Sequence, residues 1–326
     1  VGPNLRIEPF DLRTYATRID RVPKQRAEEE RYRDLFDQDW DVRFIYLTQT
    51  WALNTVWDLI GQGNSADILA PCGYSLLPDP SAADYFRLIE RLLPRFASVV
   101  YHSPDYQDYW FADQRGLLEN AVVIPNATDL PQSVPAEVKH AHGVPVTACT
   151  AGSHVRSKGH SAFVALCERA GLPGTLIAPR PASTRERVRG CYYTCRVLTG
   201  VSRKVDLVEG SRREAFDAAM GDAHLFVFPS KVETAPLVIL EAMARNLPWV
   251  SYDAGMVKKL PGGIVVQGFS EAVDAVNLLA KDPDRRVKLA RSGRAAIETS
   301  FTWDRILPMY ERLIETVSRP APQGAD

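Results

Sequence analysis

Two glutamates within one short stretch carry the most chemistry in this chain. The run Pro229-Ser230-Lys231-Val232-Glu233-Thr234-Ala235-Pro236-Leu237-Val238-Ile239-Leu240-Glu241-Ala242-Met243-Ala244 follows Leu225-Phe226-Val227-Phe228, whose apolar character bounded by Pro229 predicts a short buried strand. Ala235 to Arg245 predicts a helix, with Thr234 as its N-cap and Pro236 in the first turn, where a missing N–H costs nothing. Asn246-Leu247-Pro248 ends it. The helix is apolar nearly all round and is expected to be buried, with Glu241 as its one carboxylate. Thr234, Leu237, Val238 and Glu241 fall at i, i+3, i+4 and i+7 and share one face. A carboxylate there is costly to bury unpaired. Either an Arg or Lys elsewhere in the chain or a pair of ligand hydroxyls meets it, and the helix alone leaves both open.

Glu233 stands just ahead of that helix N-terminus, where free N–H groups and a partial positive charge suit a phosphate. One carboxylate before the terminus and a second roughly 9–10 Å along the axis bracket it. A sugar, a diphosphate and a ribose could be laid across such an arrangement.

This spacing, following a strand and Pro-Ser and running into Glu-Ala-Met-Ala, resembles the E-x7-E motif of retaining glycosyltransferases with the GT-B fold, particularly glycosyltransferase family 4. A second segment bears on the same resemblance. The predicted strand Val144 to Thr150 leads into Ala151-Gly152-Ser153-His154-Val155-Arg156-Ser157-Lys158-Gly159-His160. Glycines let a backbone approach phosphate closely, and a lysine supplies a point charge. The family has G-R-x4-K-G here, whose Arg and Lys clamp the donor diphosphate. Gly152, Lys158 and Gly159 match, while Ser153 replaces the Arg and Arg156 is the nearest substitute for its charge. Arg180, in Pro179-Arg180-Pro181, stands where the family often has a Gly-rich turn near the base.

In the first half, Pro71-Cys72-Gly73-Tyr74 follows the strand Asp67–Ala70 at the place where the family reads Pro-His-Gly and the His faces donor sugar or acceptor. Ala97 to Ser103 resembles the family's strand leading to a Ser. It places His102 at a strand's C-terminal end, where α/β sheets put ligand-facing groups, although a lone His is more often structural. Val122-Val123-Ile124-Pro125-Asn126-Ala127-Thr128-Asp129 resembles I-P-N-G-V-D, which closes the family's first domain.

The resemblance implies two Rossmann-like parallel-sheet α/β domains facing a cleft: an abbreviated acceptor-side domain over 1–142, a nucleotide-sugar domain over 143–305, and a crossover helix and tail over 306–326. A full first strand and Gly-rich loop would lie ahead of Val1-Gly2-Pro3-Asn4, which reads as the end of a strand. The implied reaction transfers a sugar from a nucleoside-diphosphate sugar to a hydroxyl acceptor on a glycan, glycolipid or small molecule, with retention and without a metal or other cofactor. Lys158 and Glu233 would be catalytic. Gly152, Ser153, Arg156, Arg180, Thr234, Ala235, Pro236, Leu237, Val238 and Glu241 would join them around the donor, with Cys72, Tyr74 and His102 on the acceptor side. Two alternatives stay open: an epimerase or phosphorylase on the same fold, or a non-catalytic binding relative, which the departures at Cys72 and Ser153 allow.

The rest of the chain must position these groups. It alternates predicted strands and helices throughout, the pattern of parallel α/β sheets. Thr184 to Tyr193 reads as one helix weakened by Gly190, and Leu130 to Gly143 as a linker. At 326 residues the chain is long enough for two domains. Its formal charge of −1 hides an asymmetry: residues 1–142 carry 14 basic against 21 acidic groups, a net of −7, leaving +6 for the remainder. A basic second half suits an anionic nucleotide. An acidic first half argues against a nucleic-acid or anionic-lipid acceptor, and peripheral membrane contact remains compatible. No apolar run reaches a membrane span and no signal peptide opens the chain, so a reducing cytoplasm is expected, with the five cysteines as small core residues. Cys191 and Cys195 are too far apart for C-x-x-C, no zinc site is expected, and His154 and His160 read as solvated. Asp37-x-Asp39-x-Asp41 reads as a solvated turn rather than a metal motif.

Overall fold

Short apolar runs of four or five residues, each followed by a helical segment, can bury both faces only as strands of a parallel sheet with helices on either side. The computed structural model, which describes residues 10, 26–48, 51–74, 77, 79–209 and 213–318, has this architecture twice. The chain divides into two units, Val1–Ile124 with Pro308–Asp326, and Pro125–Leu307. The stretch Val1–Asn4 lies outside the described residues.

Among the described residues the first unit carries a parallel sheet in the order β1 (Val42–Tyr46), β2 (Ala66–Ala70), β3 (Ser98–Tyr101), β4 (Ala121–Val123). Arg43 and Asp67 are register partners on β1 and β2, and they pair bidentately at 2.7 and 2.9 Å in a buried site. The acidic triplet Asp37, Asp39 and Asp41 lies exposed between the first helix and β1, as a solvated turn should.

The second unit is built on β5 (Ala148–Ala151), β6 (Gly174–Ile177), β7 (Val205–Val208), β8 (Leu225–Phe228), β9 (Trp249–Tyr252) and β10 (Gly263–Val266). All pair in parallel, in the order β10-β9-β8-β5-β6-β7. Alternation along the strands sends Phe226, Phe228 and Trp249 into one core and Leu225, Val227 and Val250 into the other, so both faces are covered. Counted within the unit, this is the doubly wound order 3-2-1-4-5-6, whose reversal falls between β5 and β8. Ligands of such sheets bind outside the carboxyl ends of the strands at that point.

The residues read as a linker, 130–143, pack with the second unit instead. Lys139 Nζ donates to the Gly221 carbonyl at 2.7 Å, His140 Nε2 bonds the Asn246 carbonyl at 2.8 Å, and Asn246 Nδ2 donates to Ser133 Oγ at 2.9 Å. The chain therefore enters the second unit at Pro125 rather than near 143. At the other end, the helix Trp303–Ser318 passes from the second unit to the first at Pro308, and Tyr310 packs its ring against Phe44 on β1. The helix expected over 184–193 is two helices, Thr184–Arg189 and Tyr192–Val201. They break at Gly190, where a Cβ would lie 2.0 Å from the His154 carbonyl oxygen. No helix among the described residues is long and apolar enough to cross a membrane.

Candidate active site

The loops leaving β5 and β8 meet at the switch point. Gly159 takes φ +70°, and a Cβ there would stand 2.2 Å from the Pro229 carbonyl oxygen. Only glycine lets the first loop press so closely on the second. The contact is tied by Lys231 N–H donating to the Ser157 carbonyl at 3.0 Å.

Lys158 and Glu233 converge across this junction. Lys158 Nζ lies 2.5 Å from Glu233 Oε1, and Ser230 Oγ donates to the same oxygen at 2.6 Å. The resemblance implies catalytic roles for both groups without placing them together; the structure brings them into direct contact, both partly buried. The Glu233 backbone is fixed from behind by the turn after β9. Gly255 has φ +58°, and a Cβ there would meet the Glu233 and Thr234 carbonyl oxygens at 2.3 and 2.4 Å.

That turn also explains why the helix begins later than expected. Thr234 does not cap it, because its carbonyl accepts the Met256 N–H at 3.1 Å, and the helix spans Leu237–Met243 behind an extended Pro236. Asn126, from the segment resembling I-P-N-G-V-D, donates to the Ala235 carbonyl at 2.8 Å and holds the approach. The helix is buried on one side only: Ile239, Leu240, Ala242 and Met243 face the core, Leu237 is exposed, and Val238 and Glu241 are half-buried. Asn246, at φ +56°, ends it as its residue type allows. Glu241 has a protein partner, Arg213 Nη1 at 2.6 Å from Oε1.

The remaining donor-side residues are dispersed. Gly152 and Ser153 open the β5 loop, and Ser153 is exposed. Arg156 is exposed and donates through Nε to the Arg189 carbonyl at 3.5 Å, away from the Lys158–Glu233 pair. Arg180 is exposed beyond the carboxyl end of β6, next to β5 in the sheet.

In the first unit, Cys72 follows β2 at φ +58°, its thiol donating to the Ala70 carbonyl at 3.4 Å. His102 is buried. Its Nδ1 bonds the Ile124 carbonyl at 3.0 Å, which can only accept, so Nδ1 carries the proton and Nε2 faces the Cys72 sulfur at 3.5 Å. Burial pushes the Cys72 thiol up to about 11, so it is not a ready thiolate. Tyr74, expected on the acceptor side, is fully buried instead, edge-on to Phe86 and Phe111 in the core. Asp108 was not singled out in the sequence. It is buried, accepts the Gly73 N–H at 2.9 Å, and shapes the turn after Cys72; burial raises its carboxyl above the usual range. An acidic residue in the first turn of the helix Gln107–Asp113 was its signal.

One further cluster departs from expectation. His154 and His160 are buried rather than solvated, and they pack against Cys191 and Cys195.

Residues 198–296 match the family described as Glycosyl transferases group 1. A curated relative, the alpha-D-kanosaminyltransferase of Streptomyces kanamyceticus, is 30% identical over 124 residues, covering 35% of this chain and 32% of its own, so the chain spans about a third of that relative's length. Among solved structures, sucrose-phosphate synthase from Thermosynechococcus elongatus superposes with a TM-score of 0.74 at 18% identity, over 97% of this chain and 86% of that one. Anabaena HepE in complex with UDP and glucose gives 0.69 at 17% identity, over 90% and 82%. The chain thus has a GT-B fold, and its residues 198–296 are similar to the glycosyltransferase group 1 family.

Proposed function

We propose that this chain is a retaining glycosyltransferase of family 4 type, moving a sugar from a nucleoside-diphosphate sugar to a hydroxyl acceptor in the cytoplasm. The observation that carries the proposal is the meeting of Lys158 and Glu233, from two loops, at the carboxyl edge between β5 and β8. An ammonium and a carboxylate at that edge match the two ends of a sugar diphosphate. In the resting protein each satisfies the other. With donor bound, Lys158 would turn to the diphosphate and Glu233 to hydroxyls of the sugar, with Ser230 still holding Glu233. The backbone from Thr234 to Val238 would lie along the diphosphate, Gly152 would let the β5 loop approach it, and Glu241 would take the ribose hydroxyls. Ser153, Arg156 and Arg180 would border the donor more loosely, and Cys72 and His102 would serve the acceptor.

In the reaction the bond from the anomeric carbon to the diphosphate oxygen breaks as the acceptor oxygen bonds to the same face of that carbon. The acceptor's proton passes to the leaving phosphate oxygen, so no separate base is assigned. Negative charge grows on the diphosphate as that bond breaks, and Lys158 is the group placed to stabilise it. This assigns the electrostatic work to a side chain rather than to a catalytic metal.

The test combines binding with turnover. A thermal-shift panel of nucleoside diphosphates should raise the melting temperature with one base preferred, because a ligand of the native state stabilises it by mass action. Lys158→Ala should lower kcat by about 10²-fold or more, since such a donor acts mainly in the transition state. If only the donor KM rises and kcat is intact, Lys158 contributes uniform binding and the catalytic role is wrong. Binding without any acceptor-stimulated diphosphate release would favour the non-catalytic reading, to which the internal pairing of both glutamates also lends support.

A further inference from the structure

The four buried side chains His154, His160, Cys191 and Cys195 gather with one ligand-capable atom from each, all within 4.8 Å of one another. Cys191 Sγ lies 3.5 Å from His160 Nδ1 and 3.9 Å from His154 Nδ1, and Cys195 Sγ lies 3.5 Å from His160 Nδ1. With Zn–S near 2.3 Å and Zn–N near 2.0–2.1 Å, a tetrahedral site has a sulfur–nitrogen edge of about 3.6 Å. The observed edges straddle that value. Both cysteines are free thiols. Hydrogen bonding accounts poorly for the cluster: both thiols lie at 3.5 Å from one nitrogen of His160. Metal on Nδ1 of each imidazole leaves the proton on Nε2, which in both rings is buried without a protein partner.

We propose that these four residues bind one zinc ion, in a closed structural site outside the donor-binding groups. Two thiolates and two neutral imidazoles cancel the charge of Zn²⁺, so the occupied site is neutral and suits burial. Binding releases the two thiol protons to solvent. Four protein ligands leave no open position for substrate or water, which assigns the ion to architecture rather than to chemistry.

The backbone around the cluster is built for close approach. The Cys191 N–H donates to the His154 carbonyl at 3.1 Å, at the point where Gly190 removes the Cβ that would block it. Cys191 and Cys195 lie four residues apart at the start of the helix Tyr192–Val201, so both sulfurs share one face. His154 and His160 flank Lys158. The ion would therefore staple both ends of the β5 loop to that helix and fix the position from which Lys158 reaches Glu233. Only this last consequence rests on the proposed function; metal binding does not.

The experiment uses the full chain purified without a histidine tag. Elemental analysis should find one zinc per chain. A thiol-specific mercurial should release one zinc as two thiols react. Replacing zinc with cobalt(II) should produce sulfur-to-cobalt charge-transfer and tetrahedral ligand-field absorption. Cys195→Ser should lose the metal, while Cys149→Ser, in the core on the other face of the sheet, should keep it. If Cys195→Ser does not fold, the mercurial release and the cobalt spectrum of the parent protein decide the matter. A metal-free chain that takes up no cobalt and melts at the same temperature with or without zinc would overturn the proposal. So would a Cys191–Cys195 disulfide, seen as a mass 2 Da below the reduced chain.

Discussion

Neutralising Glu241 separates a ribose ligand from a structural ion pair. Glu241→Gln keeps the shape and an acceptor oxygen for Arg213, and it changes only the charge. On the stability side the loss is bounded by the pair's setting. The Arg213 side chain is 47% exposed against 14% for Glu241, and Arg213 has a second partner, Asp217 at 3.1 Å. A pair open to solvent on its cationic side contributes about 0.2–1 kcal/mol, so the melting temperature should fall by no more than about 2–4 °C for a domain of this size. On the binding side, replacing charge-assisted hydrogen bonds to two ribose hydroxyls by neutral ones should cost about 1–2 kcal/mol, a five- to thirty-fold loss of affinity. Calorimetric titration of the preferred nucleoside diphosphate measures this directly, and Arg213→Ala is the control. It should lose the same small stability while binding nucleotide within about twofold of the parent. If Glu241→Gln binds like the parent and merely copies the stability loss of Arg213→Ala, Glu241 belongs to the ion pair and its ribose role is wrong.

Two other outcomes follow from packing and burial. Cys72→Ala should keep most of the transferase activity and Cys72→His should not improve it, because a thiol pushed up to about 11 is neither nucleophile nor a copy of imidazole; rapid iodoacetamide labelling of Cys72, blocked by donor, with turnover lost in Cys72→Ala, would defeat that view. His140 is fully buried, and burial, followed by the nearby Arg286, Lys139 and His224, lowers it from 6.5 to about 4 despite its bond to the Asn246 carbonyl. The unfolded chain thus binds the extra proton first. Stability is full above pH 6.5 and falls as pH drops towards 4, by up to about 3 kcal/mol at about 1.4 kcal/mol per pH unit. Melting temperatures of the parent and His140→Gln between pH 7 and 4.5 should converge on acidification, and parallel curves would refute the assignment.

Most of the strands were legible because parallel strands buried on both faces read as short apolar runs ended by Pro or Gly, as Leu225–Phe228 and Trp249–Tyr252 do. What sequence alone could not supply was the meeting of loops. The contact between Lys158 and Glu233 depends on Gly159 against Pro229 and on Gly255 against Glu233; Gly159 reads as part of a phosphate loop, and neither glycine's partner, distant in sequence, is visible locally. The start of the helix at Leu237 was misplaced for the same reason: Thr234 is a good cap by type, but its carbonyl is taken by a turn some twenty residues away. Tyr74 was misread because a residue two past a ligand-facing position can as well point into the core as out of it. His154 and His160 carried a signal that was available. H-x5-H and C-x3-C both fall within zinc-ligand spacing, and only the thirty residues between the pairs hid it.

The same geometry gives a reason for Ser153, which stands where the G-R-x4-K-G pattern that this loop resembles has an arginine. An arginine there would bring a second cation and a long side chain to a loop whose next residue, His154, turns inward to the buried cluster. In this chain the loop is held by contacts of its own backbone: Gly190 against the His154 carbonyl at one end and Gly159 against Pro229 at the other. If Lys158 meets the donor as proposed, a loop fixed beforehand loses less conformational freedom on binding, so one lysine can serve where a mobile loop would need a second charge. On this reasoning, Ser153→Arg adds little to donor affinity while the cluster is intact, and adds more once Cys195→Ser has loosened the loop.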